Sequence, residues 1–279
     1  MIRTTSRMSS GWRTSFVYPA LVSPEVLTAI SGAISSFLSG LLGIGGGLVL
    51  APLLLYGPPL AGAAAFPVKL VTGLTIVQAV SGSVLGAMRH RRYGNVSWRL
   101  VRTMGPVGGV ASLIGALLSR DTPDRALLFI FAAFSLAGAV ALLLPVRTQE
   151  GPVSELRFNV PLAAGIAAVI GFFGGMVGIG AIAFIIAALV YVLRIPAHVA
   201  IGSSLAIGFF AAVAGFIGKA ATAQVDPLLG LVVFGSAIVA SPVGAAVSQR
   251  SRPKVLMTLL AVIVGLTAVR MFWQAFTGA

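Results

Sequence analysis

The sequence predicts an all-α polytopic membrane protein built from two homologous repeats. Three observations carry that expectation. The 279 residues are 58% hydrophobic and only 9% charged, with a mean hydropathy of +1.03. A soluble domain carries roughly 25% charged residues. Long apolar stretches run between the few charges, at 26–68, 70–88, 103–119, 126–146, 158–193, 195–218, 227–249 and 255–269. Finally, glycine clusters interrupt two of those stretches at matching places, GLLGIGGG (40–47) and GMVGIG (175–180).

The first element is a basic tail, residues 1–25, with Arg3, Arg7 and Arg13 among serines and threonines and no acid before Glu25. Its composition resembles a transit peptide, but no short apolar core with a small-residue cleavage site precedes the first long span, and a disordered tail is the favoured reading. The first repeat then covers 26–146, a connecting loop 147–157, and the second repeat 158–279. Most apolar runs fit one span of about 20 residues. Two do not. The run 26–68 has 43 residues and 158–193 has 36. A helix of 43 residues would be about 65 Å long against a hydrocarbon core of about 30 Å, so each over-long run is expected to break, or to enter and return as a re-entrant hairpin. Three further spanning helices follow it in each half, giving 8–10 membrane segments.

The duplication rests on three anchors in the same order. Gly43-Ile44-Gly45 matches Gly178-Ile179-Gly180 at a spacing of 135; LVTGLTI (70–76) matches IGSSLAI (201–207) at 131; Pro106-Val107-Gly108 matches Pro242-Val243-Gly244 at 136. Entering and returning gives each half an odd number of crossings and makes the repeats inverted. The distribution of cations agrees. Inversion puts Arg89, Arg91, Arg92, Arg99, Arg102, Arg147, Arg157, Arg194, Arg250, Arg252 and Lys254 on the inner side, against Lys69, Arg120, Arg125, Lys219 and Arg270 outside, as the positive-inside rule favours. The tail's arginines argue the other way.

Chemistry is expected where the helices break. Glycines in membrane helices commonly serve close packing, which accounts for Gly165, Gly171 and Gly265. It does not account for duplicated clusters inside over-long runs. Irregular backbone at membrane depth is tolerated where it faces protein or a watery cavity, and paired Gly/Pro-interrupted segments mark the substrate site of duplicated transporters. A helix restarting after a break presents free N–H groups and a positive dipole end, which suits an anion. The expected binding residues are Gly43, Gly45, Gly46, Gly178 and Gly180 at the breaks. The hydroxyls of Thr72, Thr75, Ser203 and Ser204 are expected to form one shared polar site. Lys69, three residues before Thr72, is a candidate counter-charge, Gln78 a candidate gate residue, and His198 a candidate proton-coupling group.

The scarce acids exclude other classes. Glu25, Asp121, Asp124, Glu150, Glu155 and Asp226 all fall at ends or connections, so no relay of buried carboxylates is expected. There is no nucleotide-binding GxxxxGK[ST] loop, no nucleophile–His arrangement and no cysteine. No enzyme activity, cofactor or metal is expected. The net charge of +13 reflects orienting cations in the tail and loops, and no nucleic-acid partner is expected; the partners are a small anion and the bilayer, and a homo-oligomer is compatible.

The GLLGIGGG break, its GMVGIG counterpart, the AIGSSLAI segment (200–207) and the basic HRRYGNV connection (90–96) resemble the TauE/SafE sulfite exporter family, from about residue 26 to the C-terminus. The resemblance implies a multi-pass bacterial inner-membrane carrier for sulfite, organosulfonates or related small anions. Gly43, Gly45, Gly178, Gly180, Ser203 and Ser204 match the family pattern, whereas VTGLT departs from the more usual Ala-Thr-Ser-Leu. The expected function is therefore secondary transport of a small anion by alternating access. The alternatives are a passive anion channel or uniporter and, from a different class, a non-transporting membrane scaffold.

Overall fold

The computed structural model describes residues 23–42, 46–91, 96–143, 158–179, 182–248 and 253–277. The helices are α1 (Pro24–Leu42), α2 (Gly47–Leu60), α3 (Val68–Arg91), α4 (Trp98–Leu118), α5 (Asp124–Leu143), α6 (Val160–Val177), α7 (Ile182–Ala187), α8 (Ala197–Ala221), α9 (Pro227–Ser248) and α10 (Pro253–Thr277), with one π-helical turn at Ala188–Val192 after α7. No strand occurs among the described residues. Four of these helices, Trp98–Leu118, Val160–Val177, His198–Ala221 and Pro227–Gly244, are long and apolar enough to cross a bilayer. Their outward faces carry exposed Val110, Ile114, Leu117, Ile217, Leu231 and Val239. Apolar surface on that scale is foreign to soluble monomers and natural against lipid. The chain is a multi-pass α-helical membrane protein.

Local chemistry sets several boundaries. Asn159 caps α6, its side chain accepting from Leu162 N at 3.1 Å with Pro161 in the first turn, as N-cap and N1 preferences dictate. Gly178 ends α6 in the left-handed region at φ 75°, the C-terminal geometry glycine adopts without strain. Asp226 opens α9 by accepting from Leu229 N at 2.9 Å. Prolines 52, 58 and 59 lie inside α2, which is short for a spanning segment at 14 residues.

The helices pack through small residues, and the pairs in contact give their directions. A Cβ on Gly171 would meet Gly108, and one on Gly175 would meet Ser112; both indices rise together, so α4 and α6 run parallel. Glycine or serine repeated every fourth residue on both partners lets the backbones approach closely. Phe210 against Gly105, Ala211 against Ser112 and Gly218 against Ala116 make α8 parallel to α4 as well. Likewise α1 runs with α9, through Gly32 on Ser236 and Gly40 on Ser241, and α3 runs with α9, through Gly73 on Val225 and Val77 on Gly230. Between the two sets the sense reverses. Thr72 meets Lys219 while Ile76 meets Gly215, so α3 and α8 are antiparallel. Phe129 meets Phe272 while Ala139 meets Gly265, so α5 and α10 are antiparallel too.

These directions place the connections 61–67, 119–123 and 222–226 at one end of the bundle and 96–97, 158–159 and 193–196 at the other. Because α1 and α3 share a direction, α2 ends where α1 began: the over-long first run enters and returns. Close packing explains Gly171 as expected. It does not explain Gly165, beside which a Cβ would find open space, and Gly265 lies in ordinary contact, 3.8 Å from the Ala139 Cβ.

Candidate substrate site

The two glycine breaks meet. A Cβ on Gly47, the first residue of α2, would stand 3.2 Å from Ile179 Cα in the break after α6. Around this meeting point lies a buried polar group drawn from both halves. Gly46 is the N-cap of α2, and a Cβ there would collide with the Gln78 amide nitrogen. Ser35 Oγ, from α1, donates to Gly46 O at 2.9 Å. Gln78 Nε2, from α3, donates to Ser35 Oγ at 2.5 Å and Ser36 Oγ at 3.1 Å. On the other side of the meeting point, a Cβ on Gly178 would strike Thr72 O and approach Thr75 Oγ1 to 2.7 Å. Thr75 Oγ1 donates to Thr72 O at 3.0 Å, with Val177 O, at the end of α6, 3.3 Å away. Ser35, Ser36, Thr72, Thr75 and Gln78 are each at most 1% exposed.

One cation belongs to this group, and it is Lys219. Its Nζ is fully buried and donates to Thr72 Oγ1 (2.9 Å), Ser119 Oγ (2.9 Å), Gln224 Oε1 (3.0 Å) and Met176 O (2.7 Å). The Thr72 hydroxyl hydrogen is committed to Lys69 O at 2.8 Å and that of Ser119 to Ala116 O at 2.6 Å. All four neighbours therefore offer lone pairs, four acceptors for the three donors of an ammonium, so that one N–H is shared between two of them. Met176 O is among the last carbonyls of α6, the negative end of its dipole. No acidic side chain among the described residues pairs with Lys219. A lysine taken out of water costs several kcal/mol, and here only neutral oxygens offset it.

The chain belongs to the sulfite exporter TauE/SafE family. The family's model matches residues 28–271. Among the chain's relatives in this family are a probable membrane transporter protein of Haemophilus influenzae, 29% identical over 73% of this chain and 76% of its own length, and the probable membrane transporter protein YunE of Bacillus subtilis, 22% identical over 89% and 97%. A third, from Methanocaldococcus jannaschii, is 24% identical over 88% and 94%. No solved structure matches the chain. These three relatives of the TauE/SafE chain are named probable membrane transporters and are matched along most of their length.

Within the TauE/SafE chain, the expected site residues fall into three groups. Gly46, Thr72, Thr75, Gln78 and Gly178 come together as described. Gly43, Gly45 and Gly180 lie outside the described residues. Ser203 and Ser204 are buried but do not join Thr72 and Thr75 in one site: Ser203 Oγ accepts from Ser97 N at 2.9 Å and Ser204 Oγ donates to Ile201 O at 2.9 Å. Since α3 and α8 are antiparallel, matching positions near their starts must sit at opposite ends. Ser203 is 16 residues from Lys219, about 24 Å along α8. Lys69, the candidate counter-charge to the anion, has its Nζ on Arg120 O at 2.6 Å, an exposed contact. His198 is exposed in the first turn of α8, away from the breaks. No cluster of three or more metal-ligating side chains occurs among the described residues.

Sequence reasoning missed Lys219 because charge had been used to end a span at residue 218. The signal was present in its surroundings: Thr222 and Gln224 follow within five residues, polar partners that a headgroup lysine does not need.

Proposed function

We propose that the chain is a secondary transporter of a small anion, sulfite or a related sulfur oxyanion or organosulfonate, resident in the bacterial inner membrane. Residues 26–146 and 158–279 act as inverted repeats that expose one central site alternately to either side. The observation that carries this reading is the contact of Gly47 with Ile179, two helix interruptions meeting beside buried Gln78, Ser35 and Thr75. Opposed directions in the pairs α3/α8 and α4/α9, which the sequence matches to one another, support inversion. The anion is held at the first amides of α2, beside the Ser36 hydroxyl and the Gln78 amide, and by the charge of Lys219, with Thr72 as the link between charge and break.

The names of the family and of its relatives point to transport rather than to a scaffold, and the fully enclosed polar group favours a carrier over an open pore. Purified protein in liposomes tests this. Sulfite uptake that saturates, and that is accelerated by unlabelled sulfite on the opposite side, is the expected result. Flux that rises linearly with concentration and shows no counterflow rules the carrier out in favour of a channel, and no flux of any small anion removes the transport reading.

A further inference from the structure

Gln78 narrows the substrate further. Ser35 has given its hydrogen to Gly46 O, so its lone pairs accept one Gln78 N–H, and Ser36 accepts the other. Both amide hydrogens are thereby used, and the hydroxyl bookkeeping fixes which end of the amide faces the serines. The other end, Oε1, is buried and has no hydrogen-bond partner among the described residues. A buried acceptor without a donor carries a desolvation penalty that a donor relieves. It stands at the mouth of α2, where the proposed anion binds, and an anion without hydrogens would add lone pairs to lone pairs there.

The second observation is the charge of Lys219, the one fully buried cation among the described residues, whose four contacts are all neutral oxygens. One cation balances one negative charge, and a dianion would leave an uncompensated charge in a low-dielectric interior. We infer that the anion is carried as a protonated monoanion, a hydrogen oxyanion of the hydrogen sulfite type, whose own hydrogen is donated to Gln78 Oε1. This rests on the transport reading above and specifies the substrate within it. It also accounts for the missing acid relay: the proton crosses on the substrate.

The groups able to titrate near Gln78 are few. Lys219 and His198 lie on α8; Lys69, Arg89, His90 and Arg91 on α3 itself; Glu25 on α1; Tyr56 on α2; Asp124 and Arg125 on α5; α6 and α9 carry none. A control anion that does not titrate separates their effect from the substrate's.

The test is calorimetric binding of sulfite to the purified full chain at pH values on both sides of the second ionisation of the sulfite ion, with methanesulfonate, a permanent monoanion lacking a donor, measured in parallel. Affinity for total sulfite should fall about tenfold for each pH unit above that ionisation. Methanesulfonate should be about tenfold weaker than hydrogen sulfite, the worth of one buried hydrogen bond, and its dependence on pH, which reads the protein's own groups, should be clearly shallower than that of sulfite. Gln78→Met should collapse that preference. Equal binding of the two anions, sulfite binding that ignores pH, or a pH dependence shared by methanesulfonate overturns the inference while leaving the transport reading intact. Binding of neither anion overturns both. The unaltered chain alone decides if the variant does not fold.

Discussion

Lys219 Nζ lies 2.9 Å from Thr72 Oγ1, a contact between residues 147 apart in the chain. It joins the end of α8 to the start of α3, and through Met176 O to the end of α6 just before its break. The one buried lysine among the described residues is thus fastened to the interruption itself.

Replacing Lys219 by methionine should abolish anion transport, by at least about tenfold, without unfolding the protein. Removing the buried ammonium relieves its desolvation penalty, which offsets the cost of leaving its oxygen partners without that donor. Transport in liposomes and the thermal unfolding midpoint, measured on the same preparation, check both halves of the prediction. Full transport by Lys219→Met would reduce the residue to a structural peg. Lys69→Met, at the rim on Arg120 O, should leave transport within about twofold, as expected of an exposed group worth little.

Gly178→Ala should destabilise the chain. The left-handed backbone at φ 75° disfavours any Cβ, and the added methyl would be driven against Thr72 O and the Thr75 hydroxyl. The conformational part alone is about 1–2 kcal/mol. Gly46→Ala should act differently, pushing the Gln78 amide off Ser35 and weakening binding more than folding. Paired unfolding and binding measurements separate the two.

Gly175→Leu should lower the unfolding midpoint strongly, because its Cβ points at the Ser112 carbonyl and backbone cannot swing aside. Overpacking of this kind costs about 1–3 kcal/mol. Gly165→Leu, with open space around it, should change the midpoint little. Glycine content in a membrane helix is therefore not one property but two, and only the neighbours tell them apart.

That distinction marks what the residues alone could and could not disclose. The helical class, the two interruptions and the return of the first run were legible from run lengths, since a bilayer fixes how long an apolar helix can be. Gly46, Thr75, Gln78 and Gly178 could be named from the sequence because each break is followed by a hydroxyl-bearing helix, but their assembly from both halves into one group is a property of the fold. The pairing of Thr72 with Ser203 was misread: duplicated positions look adjacent on paper, but antiparallel α3 and α8 carry them to opposite ends. Lys219 was hidden by the same convention that found the spans, and Ser35 and Ser36 by the ordinary expectation that a membrane serine bonds back to its own turn.

The chain has no cysteine, so single cysteines can report its orientation directly. Ala64→Cys and Asp121→Cys, in connections at the Lys219 end, should react with an impermeant maleimide applied outside intact cells. Arg194→Cys, at the opposite end with most of the basic connections, should react only after the membrane is opened. Labelling of all three from one side would contradict the opposed helix directions.

At the spacing that aligns α3 with α8, the position matching Lys219 is Met88. The two sequence halves thus differ at the one deeply buried cation among the described residues. In the proposed alternating cycle, opening one end would unfasten an ammonium from four oxygens, and opening the other would part a lone hydroxyl from the amide of Ser97. Two such orientations would differ in energy, and an unloaded carrier of this kind would wait with its lysine end shut, giving the cycle a preferred starting side.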